Sequence, residues 1–255
     1  MIEMKTTFTI DINCDLGEGC TPADGDKDAL LMPYLSSCNI ACGGHAGNST
    51  TIEHAIKNAL QHQLKIGAHP GYPDKDNFGR KSLRLSTNEI VEFLRQQMEL
   101  FLLITDKNNA TLNHIKLHGA LYNDVEQDLE LADVIADYLI KTFPDINIYG
   151  LAQGHFQQVC ENKNLNFVPE GFMDRRYLPD GKLTPRTDPH AIIAQDDLCI
   201  QQAIALAKNK PIESSTGVFI SPMVKTICLH GDSKNALTIA RNLYQELANN
   251  DISVA

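Results

Sequence analysis

Along the chain a short β-rich run, a loop rich in Gly, His and Asp, and a segment with apolar residues at helical spacing follow one another repeatedly. This alternation predicts parallel βα units. Seven runs read as strands: Thr7 to Cys14, Cys38 to Cys42, Leu64 to Ala68, Asn113 to Leu117, Asn147 to Leu151, Asn166 to Pro169 and Lys225 to Leu229. Between them, Ile52, Ala55, Ile56, Ala59 and Leu60 form one helical face behind a capping-box pair, Thr50 and Glu53, which predicts a helix starting near Thr50. Ser86 and Glu89 repeat that signature ahead of Ile90, Phe93, Leu94 and Phe101. Two more faces, Ala132, Ile135, Ala136, Leu139 and Leu237, Ala240, Tyr244, Leu247, predict further helices, the second of which closes the chain.

No Ser/Gly linker, charge block or composition shift divides residues 1–255, so they are expected to form a single α/β domain. Seven strand-helix units predict a βα barrel, closed or nearly so, with an open doubly wound sheet as the alternative. Either architecture gathers ligands at the carboxyl ends of its strands. The connections Pro70 to Leu85 and Glu170 to His190 are too long and polar for idle turns and are expected to be lids or binding segments.

Composition narrows the partners. Apolar residues make up 43% and charged residues 21% of the 255, as in ordinary folded domains. The net charge of −10 repels phosphate backbones and anionic lipid, which argues against nucleic acid. No apolar run approaches the roughly 20 residues of a membrane helix, and the segment MIEMKTTFTI lacks a signal-peptide core. Seven cysteines form no secreted disulfide framework, so free thiols in a reducing cytoplasm are expected.

Chemistry collects at the predicted strand ends. In DINCD, side-chain alternation puts Asp11, Asn13 and Asp15 on one face and Ile12, Cys14 and Leu16 on the other. A strand covered on both sides does not bury carboxylates without purpose, so that polar face is expected to serve a site. Glu18 falls in the following loop as an additional acid or base. In IKLHG, Lys116 and His118 share a face; His230 ends another strand, His69 a third, and His45 follows a fourth. One histidine alone reads as structural, but four at equivalent strand ends read as a ligand-binding rim.

The GGHAGNST stretch offers backbone N–H groups at a helix start, although it lacks the Gly-Lys-Ser/Thr ending of a phosphate-binding loop. Cys38 and Cys42 lack the C-x-x-C spacing of structural zinc sites and read as buried thiols. Asp15, His45 and His69 form a chemically reasonable ligand set for a divalent metal, with no spacing rule behind it. Asp174, Arg175, Arg176 and Arg186 sit in the second long loop, where arginine forks suit carboxylate or phosphate; Arg80 is a further anion candidate.

Six motifs in order, DINCDLGEG, NIACGGHAGN, GAHPGYPD with NFGRK, KLHGALYN, EGFMDRRYLPDGKLTPR and ICLHGD, run from about residue 8 to residue 232 and resemble the LamB/YcsF family. Two positions depart from it: Gly44 stands where the family usually has Phe, and Asn48 where it has Asp. The resemblance implies a seven-stranded βα barrel akin to those of glycoside hydrolases and deacetylases. It implies cleavage of 5-oxo-L-proline to L-glutamate with ATP hydrolysis, carried out together with two other 5-oxoprolinase subunits, the ATP site lying on or shared with those partners.

For that chemistry the expected roles are Asp15 or His118 as base, Lys116 as electrostatic stabiliser, His230 or His69 as proton donor, and Arg175 or Arg176 on the substrate carboxylate or a transferred phosphate. Asp11, Asn13, Glu18, His45, Arg80 and Asp174 are expected to bind substrate. Two alternatives stand beside this reading: a metal-dependent amide hydrolase or carbohydrate deacetylase, and a non-catalytic subunit that binds substrate for its partners.

Overall fold

The computed structural model describes residues 8–231 and 235–255. Thr7 of the first expected strand and Asp232 of the last motif lie outside the described residues. The elements in chain order are β1 (Phe8–Leu16), α1 (Pro22–Ala29), β2 (Ser37–Ala41), α2 (Ser49–Gln61), β3 (Lys65–His69), α3 (Thr87–Lys107), β4 (Leu112–Lys116), α4 (Gly119–Asp124) and α5 (Leu129–Thr142). They continue with β5 (Asn147–Leu151), α6 (His155–Asn162), β6 (Asn166–Phe172), α7 (Asp196–Ala207), β7 (Ile212–Glu213), β8 (Phe219–Ile220), β9 (Thr226–Leu229), α8 (Ala236–Asn249) and β10 (Ile252–Val254).

Strands β1 to β6 and β9 pair in parallel and in that order, and β9 pairs back onto β1, which closes a seven-stranded barrel. All seven expected strands are present, and closure decides for the barrel over the open sheet. Closure runs through Asp11 to Cys14 opposite Thr226 to Leu229, while Asn13 to Leu16 face Ser37 to Ile40 on the other side. On β1, Ile10, Ile12, Cys14 and Leu16 are buried toward the helices, and the polar alternates point into the barrel, as the period of two requires.

The helices cover the outer face through apolar stripes. On α3, Ile90, Leu94, Met98, Phe101 and Ile104 are buried at spacings of three and four. Burying each such side chain is worth about 1.5–3 kcal/mol. The Ser86 and Glu89 capping box forms as expected. The α2 start differs: Asn48 caps it, accepting from the N–H groups of Thr50 and Thr51, and Glu53 pairs with Lys57 and Lys107 instead. The loop at Asn48 is thus built around a helix cap, a role that Asn and Asp fill about equally.

Three further differences from the sequence reading follow from local chemistry. Strand β6 runs past Pro169 to Phe172, because a proline lacking N–H is tolerated where the barrel needs no donor from it. Helix α1 begins with Thr21 as cap and Pro22 in the first turn. Helix α8 does not close the chain, since β10 follows and pairs with Phe8 to Ile10 of β1. Seven cysteines are free thiols, six of them buried, and Cys20 is exposed. Among the described residues no helix is long and apolar enough to cross a membrane.

Candidate active site at the barrel mouth

A cavity of about 350 Å³ opens at the carboxyl ends of the strands. Asp15 and Glu18 reach it from β1 and its loop, His69 from β3, Lys116 and His118 from β4 and the residues after it, and His230 from the residue after β9. The two long loops supply Arg80 on one side and Arg175, Thr184 and Arg186 on the other, so both contribute side chains to the cavity lining.

Lys116 sits at the floor, 2% exposed. Its Nζ lies 2.8 Å from Glu170 Oε1 and donates to Asp15 Oδ1 at 3.0 Å, Asn13 Oδ1 at 3.1 Å and Cys228 Sγ at 3.2 Å. Burial disfavours the ammonium, but Asp15 and Glu170 outweigh it and hold its pKa well above the ordinary value. The same contacts act on Asp15, where burial opposes ionisation and His69 and Lys116 pull the carboxyl well below its usual range. Asn39 donates to both Asn13 and Asp15 at 2.7 Å and in turn accepts from His114 Nε2 at 2.7 Å. Asn13 therefore lies under the cavity as a strut between Lys116 and Glu170, to which it donates at 2.9 Å, and does not line the cavity.

Three imidazoles cluster at one wall. His118 lies flat on His45, with ring centroids 3.5 Å apart and planes at 5°, and stands edge-on to His69. His45 is behind the cavity wall and faces Glu18 at 3.3 Å. Burial pushes the pKa of His45 well down.

Across the cavity, His230 Nδ1 lies 2.7 Å from Asp174 Oδ2 and 2.9 Å from Oδ1, and Arg186 Nη2 lies 3.3 Å from His230 Nε2. A carboxylate only accepts, so Nδ1 carries the proton and Nε2 turns toward the cavity. Burial works against the charged ring, yet Asp174 leaves the His230 pKa raised. Asp174 is thus a positioning residue behind His230, and it does not line the cavity.

Of the paired arginines, Arg175 faces the cavity. It is 4% exposed, its Nη2 donates to the Thr184 carbonyl at 2.7 Å, and its Nε has no protein partner among the described residues. Burial, then the neighbouring Arg186, lowers its pKa to about 10. Arg176 turns away: its backbone joins Ala191 and Thr184 while Arg175 and Tyr177 form bridges to Ile192 and Leu183. Asp11 is likewise corrected, because it sits at the opposite end of the barrel, bonded to Ser36, Ser37, Thr226 and Lys65.

Sequence reasoning missed Glu170, Cys228 and Tyr122. The available signal for Glu170 was a buried lysine in need of a second carboxylate. Asp15, His45 and His69 do not form the compact ligand set expected of them; the convergent groups are Asp15 with His69 and His118, Glu18 with His45 and His118, and Asp15 with Cys228 and His230. Gly44 also has a structural reason. A Cβ there would sit 2.3 Å from Gln97 Oε1, and Gln97 clamps both the N–H and the carbonyl of Gly71.

Comparison with known proteins places this barrel. The 5-oxoprolinase A-subunit of a Bacillus cereus strain is 38% identical over 247 residues, covering 96% of this chain and 98% of the relative. The 5-oxoprolinase A-subunit of a Bacillus anthracis strain is 37% identical with the same coverage. The crystal structure of the lactam utilization protein from Thermus thermophilus superposes with a TM-score of 0.88 at 29% identity, covering 96% of this chain and 98% of that one. A family 4 carbohydrate esterase from Streptomyces lividans shares the fold alone, with a TM-score of 0.53 at 10% identity over 97% of this chain and 92% of that one. The LamB/YcsF family model matches residues 10–255, and the chain belongs to the LamB/YcsF family.

Proposed function

We propose that this chain is the A-subunit of a 5-oxoprolinase and opens the lactam of 5-oxo-L-proline to L-glutamate, coupled to ATP hydrolysis with two partner subunits in the cytoplasm. The observation that carries this reading is the pairing, in one cavity, of the His230–Asp174 proton relay with an arginine that has an unused donor. Likeness over nearly the whole length to chains named as 5-oxoprolinase A-subunits supports the choice of substrate. Free buried thiols suit a reducing compartment.

A lactam is a resonance-stabilised amide and a poor electrophile. Transfer of the ATP γ-phosphate to its oxygen, with ADP as the leaving group, makes the ring carbon open to water; adding water and breaking the ring C–N bond leaves an acyl phosphate, and a second water releases glutamate and phosphate. His230 Nε2 takes a proton from the attacking water and returns it to the departing ring nitrogen, while Asp174 holds its tautomer. Lys116 sets a fixed positive charge beneath the developing oxyanion. Arg175 and Arg186 clamp the substrate carboxylate or the phosphate.

The test is reconstitution with candidate partner chains, assaying 5-oxoproline and ATP consumption together. Ring opening is expected to require both ATP and partners. Arg175→Lys should raise the KM for 5-oxoproline about tenfold, the worth of one charge-assisted hydrogen bond of roughly 1.5 kcal/mol, while Arg176→Lys leaves it unchanged. Full ring opening by the isolated chain without ATP would overturn the reading.

A further inference from the structure

Two hydrogen bonds to backbone carbonyls fix the protonation of the histidine pair in the cavity wall. His69 Nδ1 lies 2.8 Å from the Lys116 carbonyl oxygen and His118 Nε2 lies 2.9 Å from that of Phe78. A carbonyl oxygen only accepts, so both nitrogens carry the ring proton, and in a neutral imidazole the other nitrogen presents a lone pair. Those two, His69 Nε2 and His118 Nδ1, face each other at 3.0 Å. Two lone pairs at that distance repel, so the point between them is built for something positive.

A third donor converges there. Asp15 Oδ2 lies 3.3 Å from His69 Nε2, and the ligand atoms of Asp15, His69 and His118 all fall within 4.8 Å of one another. Metal bonds of about 2.0–2.2 Å set neighbouring ligands roughly 3.0–3.5 Å apart in octahedral or tetrahedral geometry, so the group needs little rearrangement. A proton on His69 Nε2 would be divided between His118 Nδ1 at 3.0 Å and Asp15 Oδ2 at 3.3 Å, whereas a metal ion takes a lone pair from each of the three.

The surroundings hold the ligands as outer-shell partners do. Lys116 and Asn39 both occupy Asp15 Oδ1, which turns Oδ2 to the site. The carbonyls of Lys116 and Phe78 fix the two rings. Phe78 and Gly79 adopt left-handed φ angles of 54° and 61°, which lays the loop over the imidazoles. A Cβ at Gly79 would come 2.8 Å from His45 Cβ and 3.0 Å from His118 Cδ2, so only glycine allows that approach. All three ligands line the cavity, so an ion there is reached from solvent and keeps positions free.

We propose that Asp15, His69 and His118 bind one divalent transition-metal ion in the wall of the cavity. Two imidazoles and one carboxylate favour Zn2+ or a close relative over Mg2+ and Ca2+, which prefer all-oxygen sites. Glu18 Oε1, 3.6 Å from His118 Nδ1, is placed to approach as an additional oxygen ligand.

The test titrates the metal-stripped full chain with Zn2+ by calorimetry and with Co2+ by visible absorption. One ion per chain is expected. His69→Gln and His118→Gln, whose amides can still donate to the carbonyls, should each weaken binding by more than the roughly 10- to 100-fold that losing an outer-shell partner costs. His62→Ala, at the exposed end of α2, should not change it. Circular dichroism checks that each variant is folded, and wild-type stoichiometry decides the matter should a variant fail to fold. Failure of either ion to saturate the wild-type chain, or binding by both folded variants as tight as wild type, overturns the site. The titration uses neither 5-oxoproline nor ATP, so its outcome is separate from that of the lactam reading.

Discussion

Strand β1 places two carboxylates on its inner face, Asp11 at one end of the barrel and Asp15 at the other, and each meets a lysine, Lys65 at 3.3 Å and Lys116 at 3.0 Å. Four residue steps along the strand separate them, about 13 Å. Around Asp11 every neighbour is a donor that it satisfies: Ser36 at 2.9 Å, Ser37 at 2.7 Å, Thr226 at 2.6 Å and Tyr149 at 3.4 Å. At the Asp15 end, buried polar atoms of Arg175, Thr184 and His45 have no protein partner among the described residues. Both ends are polar and charged, so charge does not mark the site. What differs is that one end completes its hydrogen bonds internally and the other holds some in reserve.

Replacing Lys116 by Met tests the open end hardest. It strands the carboxylates of Asp15 and Glu170 without a counter-charge, which should cost about 3–5 kcal/mol in urea unfolding and lower reconstituted turnover by roughly 100-fold or more. Asp11→Asn tests the closed end, where one amide N–H must face donors. A loss of about 1–3 kcal/mol is expected, with turnover per folded molecule unchanged; a fall in turnover would place Asp11 in the chemistry after all.

The smallest effect belongs to a further buried carboxylate, Glu126, whose Oε2 accepts from the Phe156 N–H at the start of α6. Burial raises its pKa to about 7. A carboxyl whose pKa is raised on folding binds its proton more tightly in the native state, so stability falls as pH climbs from roughly 4.3, the unfolded value, to about 7. Glu126→Gln should remove that slope and gain on the order of 1 kcal/mol above pH 7, the lost attraction to the helix N-terminus offsetting part of the benefit. Melting temperatures of both forms from pH 4 to 8 check it; parallel curves would show that Glu126 ionises freely in the folded protein.

Much of the rim was legible because parallel strands all end on one side. Ala68-His69, Lys116-Leu117-His118 and Leu229-His230 mark the same level of the barrel, and the period of two orients Asp15 and Lys116 inward. That period cannot report depth, which is why Asp11 reads like Asp15. Pro169 masks the continuation of β6 and with it Glu170. The choice between Arg175 and Arg176 is set by two isolated bridges in an irregular loop, a tertiary detail with no period to reveal it. The stacking of His118 on His45 joins residues from different loops and is written in neither one.

Barrel closure has a further consequence for how the protein is made. Cys14 pairs with Leu229, so Asp15 and His230 become neighbours only when strands far apart in sequence meet. During synthesis β1 emerges with one edge awaiting a partner that the ribosome has yet to produce, and loop-closure entropy opposes the junction until it does. An incomplete chain therefore carries the Asp15 side of the cavity without the His230 side. The cavity is completed only with the last seam of the barrel, and the β1 edge stays unpaired on that side until then.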